Sequence, residues 1–560
     1  MRLPRLEGFK RKTKSYIINF GGINRSASYR EGELEHSEGL SSDMMPYLTQ
    51  EGTRENGGTF SFPNGIFAHD GIALVAGNRF LYKSNNDEEF AEKMELSDSK
   101  KIIAQLGKSI LVFPDGVIFD TEKDKWSKMN LTLPLAPKGV SKKNSREDVW
   151  HTTVEHNRIK TSDVRSDMDT TAKEGDYLTD ILASVEVGDI ITVEVDGVFN
   201  YESDSAASKL HKFENIKVTG KNDSGLIFED NTFFEEKTQT TYIEVKSGKI
   251  SKEGVEMEYI CEHGGRIWGC KGNTIYASEY NNPRNFNCFE GLSSDSYAID
   301  VTTPGEFTGC AAYSSHIIFF KENYIHKIYG TRPSNFSMVV SSAPGVEKGS
   351  HASVGIINER LFYKGADGIY MYSGGVPSLV SACLGTEKYT DGVAGCFRDK
   401  YYISMKNTLG EYDLFCLDTR NGIMLRIDNT QLTGTANYDG KLLLLESNGA
   451  LNMISDSADV ANTEWIAQFR SFNETVNEKK GYSNITMRVE LSDDAYMDVE
   501  LKFDDGRWEH FKTVNRPGEQ IVFIPIQPNR CDSFGIRLSG RGECRIKNMV
   551  REFSVGSGVR

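Results

Sequence analysis

The sequence predicts an all-β fold whose main domain is a β-propeller of six to eight blades, with seven as the best count. Three observations support this. The 560 residues include 52 glycines but only 14 prolines, which favours many tight turns over helix bundles. Asp-Gly or Asn-Gly dipeptides occur eleven times, and between β-rich runs they are the strongest local signal for a hairpin. Short apolar runs also recur at a fixed spacing.

Three consecutive repeat units of the sequence show this spacing. Each has a short apolar run, a two-residue polar turn and a second apolar run. The inner turns fall at Glu359, Asp399 and Asp439, which are forty residues apart. Repeats of about 40–50 residues, each several strands long, are typical of propeller blades. Looser copies lie at residues 66–83, 102–120, 259–269 and 308–329, which brings the total to seven.

Two segments depart from this repeat, and the domain prediction follows from them. Residues 135–257 interrupt the spacing and indicate an inserted β domain. In residues 463–560, apolar residues alternate with polar ones at Met487, Val489 and Leu491, which is typical of a sandwich strand. We therefore expect an extended N-terminal arm at 1–60, propeller blades at 61–134 and 258–462, the insert at 135–257, and a C-terminal β-sandwich at 463–560.

The composition argues against several classes of protein. The net charge of −15 opposes a general affinity for nucleic acid or anionic membrane. One basic cluster stands at the start of the chain, where we expect a solvated arm; contact with an acidic partner surface is the alternative. Its members are Arg2, Arg5, Lys10, Arg11, Lys12 and Lys14. No apolar signal region or membrane-length run follows, so we expect no membrane anchor and a protein made and kept in water.

No cofactor or metal is predicted. The nine cysteines contain no CxxC pair, and only Cys261, His263 and Cys270 resemble ligand spacing. Structural zinc sites usually carry a second close pair, so buried apolar cysteines are the favoured interpretation. We also find no Walker A loop, GxSxG elbow, HExxH or EF-hand motif, and no carboxylate pair that stands out, so an enzyme is not predicted.

A nucleic-acid site would need basic residues interleaved with exposed aromatic residues. One stretch comes closest, with Lys321, Tyr324, His326, Lys327 and Tyr329. Strand alternation makes both of its faces mixed, so we expect a propeller strand and a structural role for His326.

The most specific stretch runs from residue 266 to residue 286 and continues to Gly330. Its marked positions are Arg266, Trp268, Gly272, Asn273, Tyr276, Ser278, Pro283 and Phe286. This stretch resembles a blade of bacteriophage tail β-propeller proteins, among them podovirus tail nozzle or stabilisation proteins and relatives in phages of Gram-positive hosts. The front of the chain, at 19–48, and its end, at 534–556, are similar to the arm and the closing sandwich of such proteins. Phe286 stands where Trp is common in the family, and the insert has no counterpart.

The resemblance implies a structural virion protein in the tail, synthesised in the host cytoplasm. It would form a homo-oligomeric ring, for which the resemblance implies six copies, and would act as a nozzle, collar or tail-tip segment. It would join other tail or neck proteins and fibres, with DNA contacted only in passage. An acidic wall suits such a conduit because it repels phosphate. The marked residues would be structural.

A carbohydrate-binding adhesin or receptor-binding module of a phage tail is the alternative function. Propellers and sandwiches both host sugar sites, and tryptophans can provide stacking platforms. The candidates are Trp126, Trp150, Trp268, Trp465 and Trp508. Tryptophans in strands are more often part of the core, which is the competing interpretation. A propeller hydrolase is a third hypothesis, for which no acid/base pair can be named.

Overall fold

The computed structural model confirms an all-β protein built from small antiparallel sheets. It describes residues 12–135, 138–143, 146–163, 179–200, 208–222, 225–235, 241–456, 459–527 and 530–555. The chain divides into two compact units. The first contains residues 1–100, 320–325 and 341–560, and the second contains residues 101–319 and 326–340.

Thirteen strands precede the insert. The first five are β1 (Thr13–Ile17), β2 (Leu34–Glu38), β3 (Leu40–Ser41), β4 (Thr49–Gln50) and β5 (Glu55–Thr59). The next four are β6 (Pro63–Ala68), β7 (Gly71–Ala76), β8 (Arg79–Ser84) and β9 (Ala91–Glu95). They are followed by β10 (Ile102–Leu106), β11 (Ser109–Phe113), β12 (Val117–Asp120) and β13 (Lys125–Lys128).

The sheet of the insert contains nine strands among its described residues, the first of which lies just before the predicted boundary at 135, and one short helix accompanies them. The strands before the helix are β14 (Leu131–Pro134), β15 (Lys138–Lys143), β16 (Arg146–Val154) and β17 (Arg158–Asp163). Helix α1 (Thr179–Ser184) leads to β18 (Ile190–Phe199), β19 (Lys209–Lys217), β20 (Gly220–Asn222), β21 (Gly225–Ile227) and β22 (Ile243–Lys252). All nine strands belong to one sheet. Its core includes Val193, Val195 and Ile250, which are buried.

The next nineteen strands return to the short-hairpin pattern. They begin with β23 (Tyr259–His263), β24 (Arg266–Lys271), β25 (Thr274–Ala277), β26 (Tyr297–Asp300), β27 (Gly309–Tyr313), β28 (His316–Lys321), β29 (Tyr324–Tyr329) and β30 (Ser337–Ser342). They continue with β31 (Gly355–Ile357), β32 (Arg360–Gly365), β33 (Gly368–Tyr372), β34 (Ser378–Leu379), β35 (Thr390–Phe397), β36 (Lys400–Lys406), β37 (Tyr412–Asp418) and β38 (Ile423–Asp428). The last three are β39 (Leu432–Tyr438), β40 (Lys441–Glu446) and β41 (Ala450–Ile454). Short 3-10 helices lie at Pro333–Asn335, His351–Ser353 and Ala382–Leu384.

The chain closes with eight strands. They are β42 (Glu464–Phe469), β43 (Lys480–Leu491), β44 (Tyr496–Phe503), β45 (Glu509–Val514), β46 (Gly518–Pro525), β47 (Arg530–Cys531), β48 (Phe534–Arg541) and β49 (Cys544–Val555).

Seven four-stranded sheets occur in the described part of the chain, at the seven places where the sequence predicts blades. Six of them are uninterrupted meanders of four consecutive strands: β6–β9, β10–β13, β23–β26, β27–β30, β31–β34 and β35–β38. In the seventh sheet, the order is β39-β40-β41-β5. The fourth strand of that sheet therefore comes from the start of the chain and not from the local repeat.

The predicted inner turns are confirmed as two-residue hairpin loops. Residues Asn358 and Glu359 have φ values of 48° and 61°, and Asp439 and Gly440 have φ values of 49° and 70°. Arg398, in the middle hairpin, has a φ of 52°. Positive φ matches the twist of the paired strands, which is why Asn, Asp and Gly are enriched at these turns.

Four of the eleven Asp-Gly and Asn-Gly pairs are not turns, so the hairpin prediction is wrong there. Those beginning at Asn56, Asn64, Asp196 and Asp391 lie inside strands. In each case the strand register shifts at the pair. The physical reason is shared: a β-bulge, like a tight turn, needs residues that tolerate unusual backbone angles.

Two five-stranded sheets form the C-terminal sandwich. One has the order β1-β49-β43-β46, with β47 also paired to β43, and the other has the order β2-β42-β48-β44-β45. The alternating Met487, Val489 and Leu491 are all buried. Strands from the first forty residues thus form one edge of each sheet.

The N-terminal segment differs from the predicted arm. Its strands β1, β2 and β5 pair with β49, β42 and β41, and Leu34 and Leu40 are fully buried. The segment holds too little apolar material for a core of its own. It is ordered instead by completing sheets whose other strands lie hundreds of residues later.

Candidate functional site

Strands β24 and β25 form the hairpin at the start of the stretch that the sequence analysis marked at 266–286. Gly272 and Asn273 form its turn. Gly272 has a φ of 57° and open space where a Cβ would stand. The carbonyl oxygen of Asn273 accepts a hydrogen bond of 2.9 Å from the amide of Val301. Tyr276 is half-buried opposite Gly269. These positions shape the hairpin and hold the strand that follows it.

Arg266 is the buried centre of the motif, with 1% of its surface exposed. Its Nη1 donates to the carbonyl oxygens of Ser278 at 2.6 Å and Asp295 at 2.5 Å, with a longer contact of 3.3 Å to Ser294. Its Nη2 donates to the carbonyl oxygen of Ser293 at 2.9 Å. One guanidinium therefore fixes both ends of the loop at 278–295, and arginine is suited to this because its donors form a rigid planar fork.

Ser278 and Trp268 support the same loop. The Ser278 hydroxyl accepts from the amide of Ile267 at 3.0 Å and donates to the carbonyl oxygen of Glu279 at 3.0 Å. The Trp268 indole donates to the carbonyl oxygen of His263 at 3.2 Å, and its buried ring packs against Phe336 with centroids 5.1 Å apart. Both side chains therefore have structural roles.

Pro283 and Phe286 lie in the loop and are buried. Phe286 packs in an apolar cluster with Ile267 and Met257. The phenylalanine at this position therefore has a structural role in the core.

Gly330 follows β29 with a φ of 122°. A Cβ there would lie 2.6 Å from the carbonyl oxygen of Asn335. This close approach and backbone angle explain why glycine occupies the position.

The motif loop carries a buried ionic cluster that sequence reasoning missed. Arg284 donates to Asp189 through Nε at 2.8 Å and Nη2 at 3.2 Å, and Lys252 reaches Asp189 Oδ1 at 2.5 Å. The Asp189 and Lys252 side chains are 0% and 2% exposed. Burial would raise the pKa of Asp189, but the Arg284 and Lys252 cations hold it below its usual value. Burial lowers the pKa of Lys252 to about 8, although Asp189 opposes that shift.

A second set of polar contacts joins the loop to the insert. Lys217 Nζ lies 3.0 Å from Glu279 Oε1, and Asn285 donates to Glu279 Oε2 at 2.9 Å and to the carbonyl oxygen of Gly188 at 2.6 Å. The motif loop is therefore a junction with the insert. The sequence marked Ser278, Pro283 and Phe286 in this loop, but nothing in it indicated the contacts with the insert.

The structure brings together two members of the candidate ligand set, Cys261 and Cys270, but not His263. All nine cysteines are free. Cys261 and Cys270 do converge, but with Cys310 in place of His263: the Cys261 thiol contacts Cys310, which also contacts Cys270. The contact with Cys310 and burial raise the pKa of Cys261 well above its usual value. The three side chains pack with the apolar cluster around Trp268. No group of His, Cys, Asp or Glu side chains suited to a metal occurs in the described ranges.

The basic residues singled out in the sequence do not form an exposed surface where they are described. Lys321 and Lys327 are buried, at 1% and 8% exposure. His326 is also buried, with Nε2 lying 2.9 Å from the Thr303 hydroxyl. Near the N-terminus, Lys12 lies 2.7 Å from Glu552 and Lys14 lies 4.0 Å from it. Arg2, Arg5, Lys10 and Arg11 lie outside the described residues.

The tryptophans fall into three environments. Trp268 and Trp465 are buried. Trp508 is half-buried beneath the Arg537 guanidinium, 4.8 Å from its ring centroid. Trp126 is 50% exposed on β13. The side chain of Trp150 lies outside the described set.

A cavity of about 290 Å³ in the first unit is a further candidate site. We name it the Gln50 cleft; it is lined by Gln50, Asp43, Glu51, Arg398, Lys400 and Asp456, among others. Lys400 Nζ lies 2.7 Å from Asp43 Oδ2 and 3.4 Å from Glu51 Oε2. Burial opposes the charged lysine, but Glu51 and Asp43 raise the pKa of Lys400 above its usual value. The sequence marked the hairpin turn at 399 and the stretch at 19–48, which contains Asp43, but did not indicate that they meet in a cleft.

A neighbouring cavity of about 340 Å³ shares Glu51, Thr53 and Tyr402 with the cleft. Tyr402 donates from its hydroxyl to Glu51 Oε1 at 2.7 Å.

Among the described residues, no helix has the length and hydropathy that a membrane span requires.

Comparison with known proteins identifies no family. No protein-family model matches the chain, and no curated protein matches it. Similar solved structures include the exo-β-1,3-galactanase of Phanerochaete chrysosporium bound to galactose, with 8% identity and a TM-score of 0.23, covering 54% of this chain and 97% of that one. The N-terminal domain of Nup159 gives 8% identity and a TM-score of 0.23, covering 78% of this chain and 99% of that one. Raptor from Chaetomium thermophilum gives 12% identity and a TM-score of 0.29, covering 73% of this chain and 29% of that one. These scores are too low for any property of those proteins to be transferred.

Proposed function

We propose that this protein is a structural component of a bacteriophage tail, a ring-forming nozzle, collar or tail-tip part that connects neighbouring tail proteins and surrounds the DNA passage. The proposal is supported by the role that the marked residues have in the structure. Arg266 donates to backbone carbonyl oxygens at 278, 293, 294 and 295 and holds one loop rigid. The other marked residues shape the same hairpin, its core or its turns, as a building block requires.

The ordering of the N-terminal segment also supports a mechanical role. Strands β1 and β2 complete both sheets of the sandwich, and β5 completes a blade of the same unit. Strands paired across such long sequence separations tie distant parts of the chain together. A connector that transmits load benefits from this arrangement.

We propose further that the protein is not an enzyme. In the motif region, Asp189 and Glu279 are both occupied by cations and amides of the fold. Neither side chain is placed as a general acid or base facing open space. Fold class alone does not decide function, so this step needs its own test.

The test is electron microscopy of the purified full-length protein, with mass photometry at the same concentrations. We expect closed rings, six copies being the number that the family resemblance implies. A species that stays monomeric at every concentration, and in mixtures with tail proteins from the same genome, would overturn the proposal. Antibody labelling of virions would then show whether the ring lies in the tail.

A further inference from the structure

The Gln50 cleft contains a hydrogen-bond donor without an acceptor. Gln50 is 5% exposed. Its Oε1 accepts from the amide of Cys544 at 2.6 Å, which fixes the orientation of the side-chain amide. Its Nε2 is buried and has no hydrogen-bond partner in the described structure. An unmet buried donor costs free energy, so an oxygen acceptor supplied by a ligand would be stabilising there.

Beside Gln50, the wall of the cleft contains a hydrogen-bond donor, Lys400, and acceptors that hold one another in place. Lys400, with 8% of its side chain exposed, is held between Asp43 and Glu51. Ser41 also accepts from Lys400 Nζ, at 3.2 Å. Because these groups are held by one another, little side-chain freedom would be lost when a ligand binds.

The mouth of the cleft carries two exposed and opposite charges. Arg398 and Asp456 form an ion pair, with 66% and 52% of their side chains exposed. Exposed ion pairs contribute little to stability, so both groups can turn toward a ligand at small cost. Phe397, half-buried beside Arg398, adds an apolar surface.

This combination favours a neutral ligand rich in hydroxyl groups. The lining has four carboxylates and three cations, so a strongly charged ligand would face repulsion from one set or the other. A hydroxyl group can donate to Asp43, Glu51 or Asp456 and accept from Gln50 or Arg398. The cavity volume lies near the lower end of the range of about 300–1,000 Å³ for small-molecule sites. We propose that the Gln50 cleft binds saccharide units.

The proposal does not depend on the tail role, because a saccharide site is compatible with a ring or with a monomer. A basic peptide is the competing occupant, since the chain begins with a cluster of Arg and Lys residues. The orphan donor at Gln50 and the nearly balanced charge of the cleft favour the saccharide. The peptide is therefore included in the test.

The experiment screens the full-length protein against a printed array of neutral and acidic oligosaccharides. The strongest binder is then titrated calorimetrically, alongside a synthetic peptide of residues 1–14. We expect at least one neutral oligosaccharide to bind more tightly than the acidic ones. Arg398→Gln and Asp456→Asn each replace one exposed charged group with a neutral amide, which makes weaker hydrogen bonds, and should weaken binding about tenfold.

The matched control is Arg79→Gln, which removes an exposed arginine that lies 3.8 Å from Glu92 on another sheet of the same unit. It should leave the affinity unchanged. Three results would overturn the proposal: no neutral oligosaccharide binds, all variants bind equally well, or only the peptide binds.

Discussion

Asp189 receives two parallel hydrogen bonds from Arg284, at 2.8 and 3.2 Å, across 95 positions of sequence. The carboxylate belongs to the insert and the guanidinium to the loop at 278–295. Lys252 contacts the same carboxylate. Two cations therefore depend on one buried anion, and this fixes how the insert is attached.

Asp189→Ala should be strongly destabilising, by about 3–5 kcal/mol, because it leaves Arg284 and Lys252 without their buried counter-charge. Urea denaturation followed by fluorescence would measure the change. Arg158→Ala, which breaks a more exposed pair with Glu155 in the same sheet, should cost less than about 1 kcal/mol. Equal effects of the two substitutions would contradict the assigned role of Asp189.

The lowered pKa of Lys252 predicts that the stability of the protein depends on pH. Its folded pKa of about 8 lies below the value of about 10.4 for unfolded lysine, so the unfolded state binds more protons between these two values. Stability should therefore rise as the pH increases from about 8 toward 10. In Lys252→Met this rise should shrink. Urea midpoints measured at pH 7.5, 8.5 and 9.5 would decide it, and identical slopes in both proteins would contradict the prediction.

Arg266→Lys should destabilise the protein by about 3 kcal/mol or more, because one ammonium group cannot reach the carbonyl oxygens at both ends of the loop. Scanning calorimetry would report the lower Tm, and limited proteolysis should show new cleavage within 279–296. Lys271→Ala, on the same strand, removes only an exposed pair with Glu256 and should leave both measurements unchanged. An unchanged proteolysis pattern in Arg266→Lys would argue against the clamp.

The repeat and the alternation of apolar residues predicted the blades and the sandwich because both are local patterns. The turn at Asp439 and the buried face at Met487 are set by neighbours in sequence. The pairing of β5 with β41 was beyond prediction, since edge pairing depends on backbone groups and leaves no side-chain signature. The contact of Asp189 with Arg284 was missed for a related reason: each residue looks like a solvated charge until the fold buries it.

The two glycines of the motif should respond differently to substitution. Gly272→Ala places a Cβ in open space and costs only the positive-φ penalty, about 1–2 kcal/mol. Gly330→Ala adds a Cβ 2.6 Å from the Asn335 carbonyl oxygen, so its cost should be larger. Thermal denaturation of both variants gives the comparison. The reverse order would mean that the loop at 330–335 relaxes freely.

Leu34→Ala tests whether the N-terminal segment belongs to the sandwich core. Leu34 is 0% exposed on β2, while Ile18, just after β1, is 62% exposed. Truncation of a buried leucine removes apolar contact and leaves a cavity, so Leu34→Ala should cost about 2–5 kcal/mol. Ile18→Ala should change stability by no more than about 0.5 kcal/mol. Urea midpoints of the two variants provide the measurement. If Leu34→Ala were as harmless as Ile18→Ala, the segment would be an arm that lies on the fold; a loss confined to Leu34→Ala requires that β2 folds as part of the sandwich.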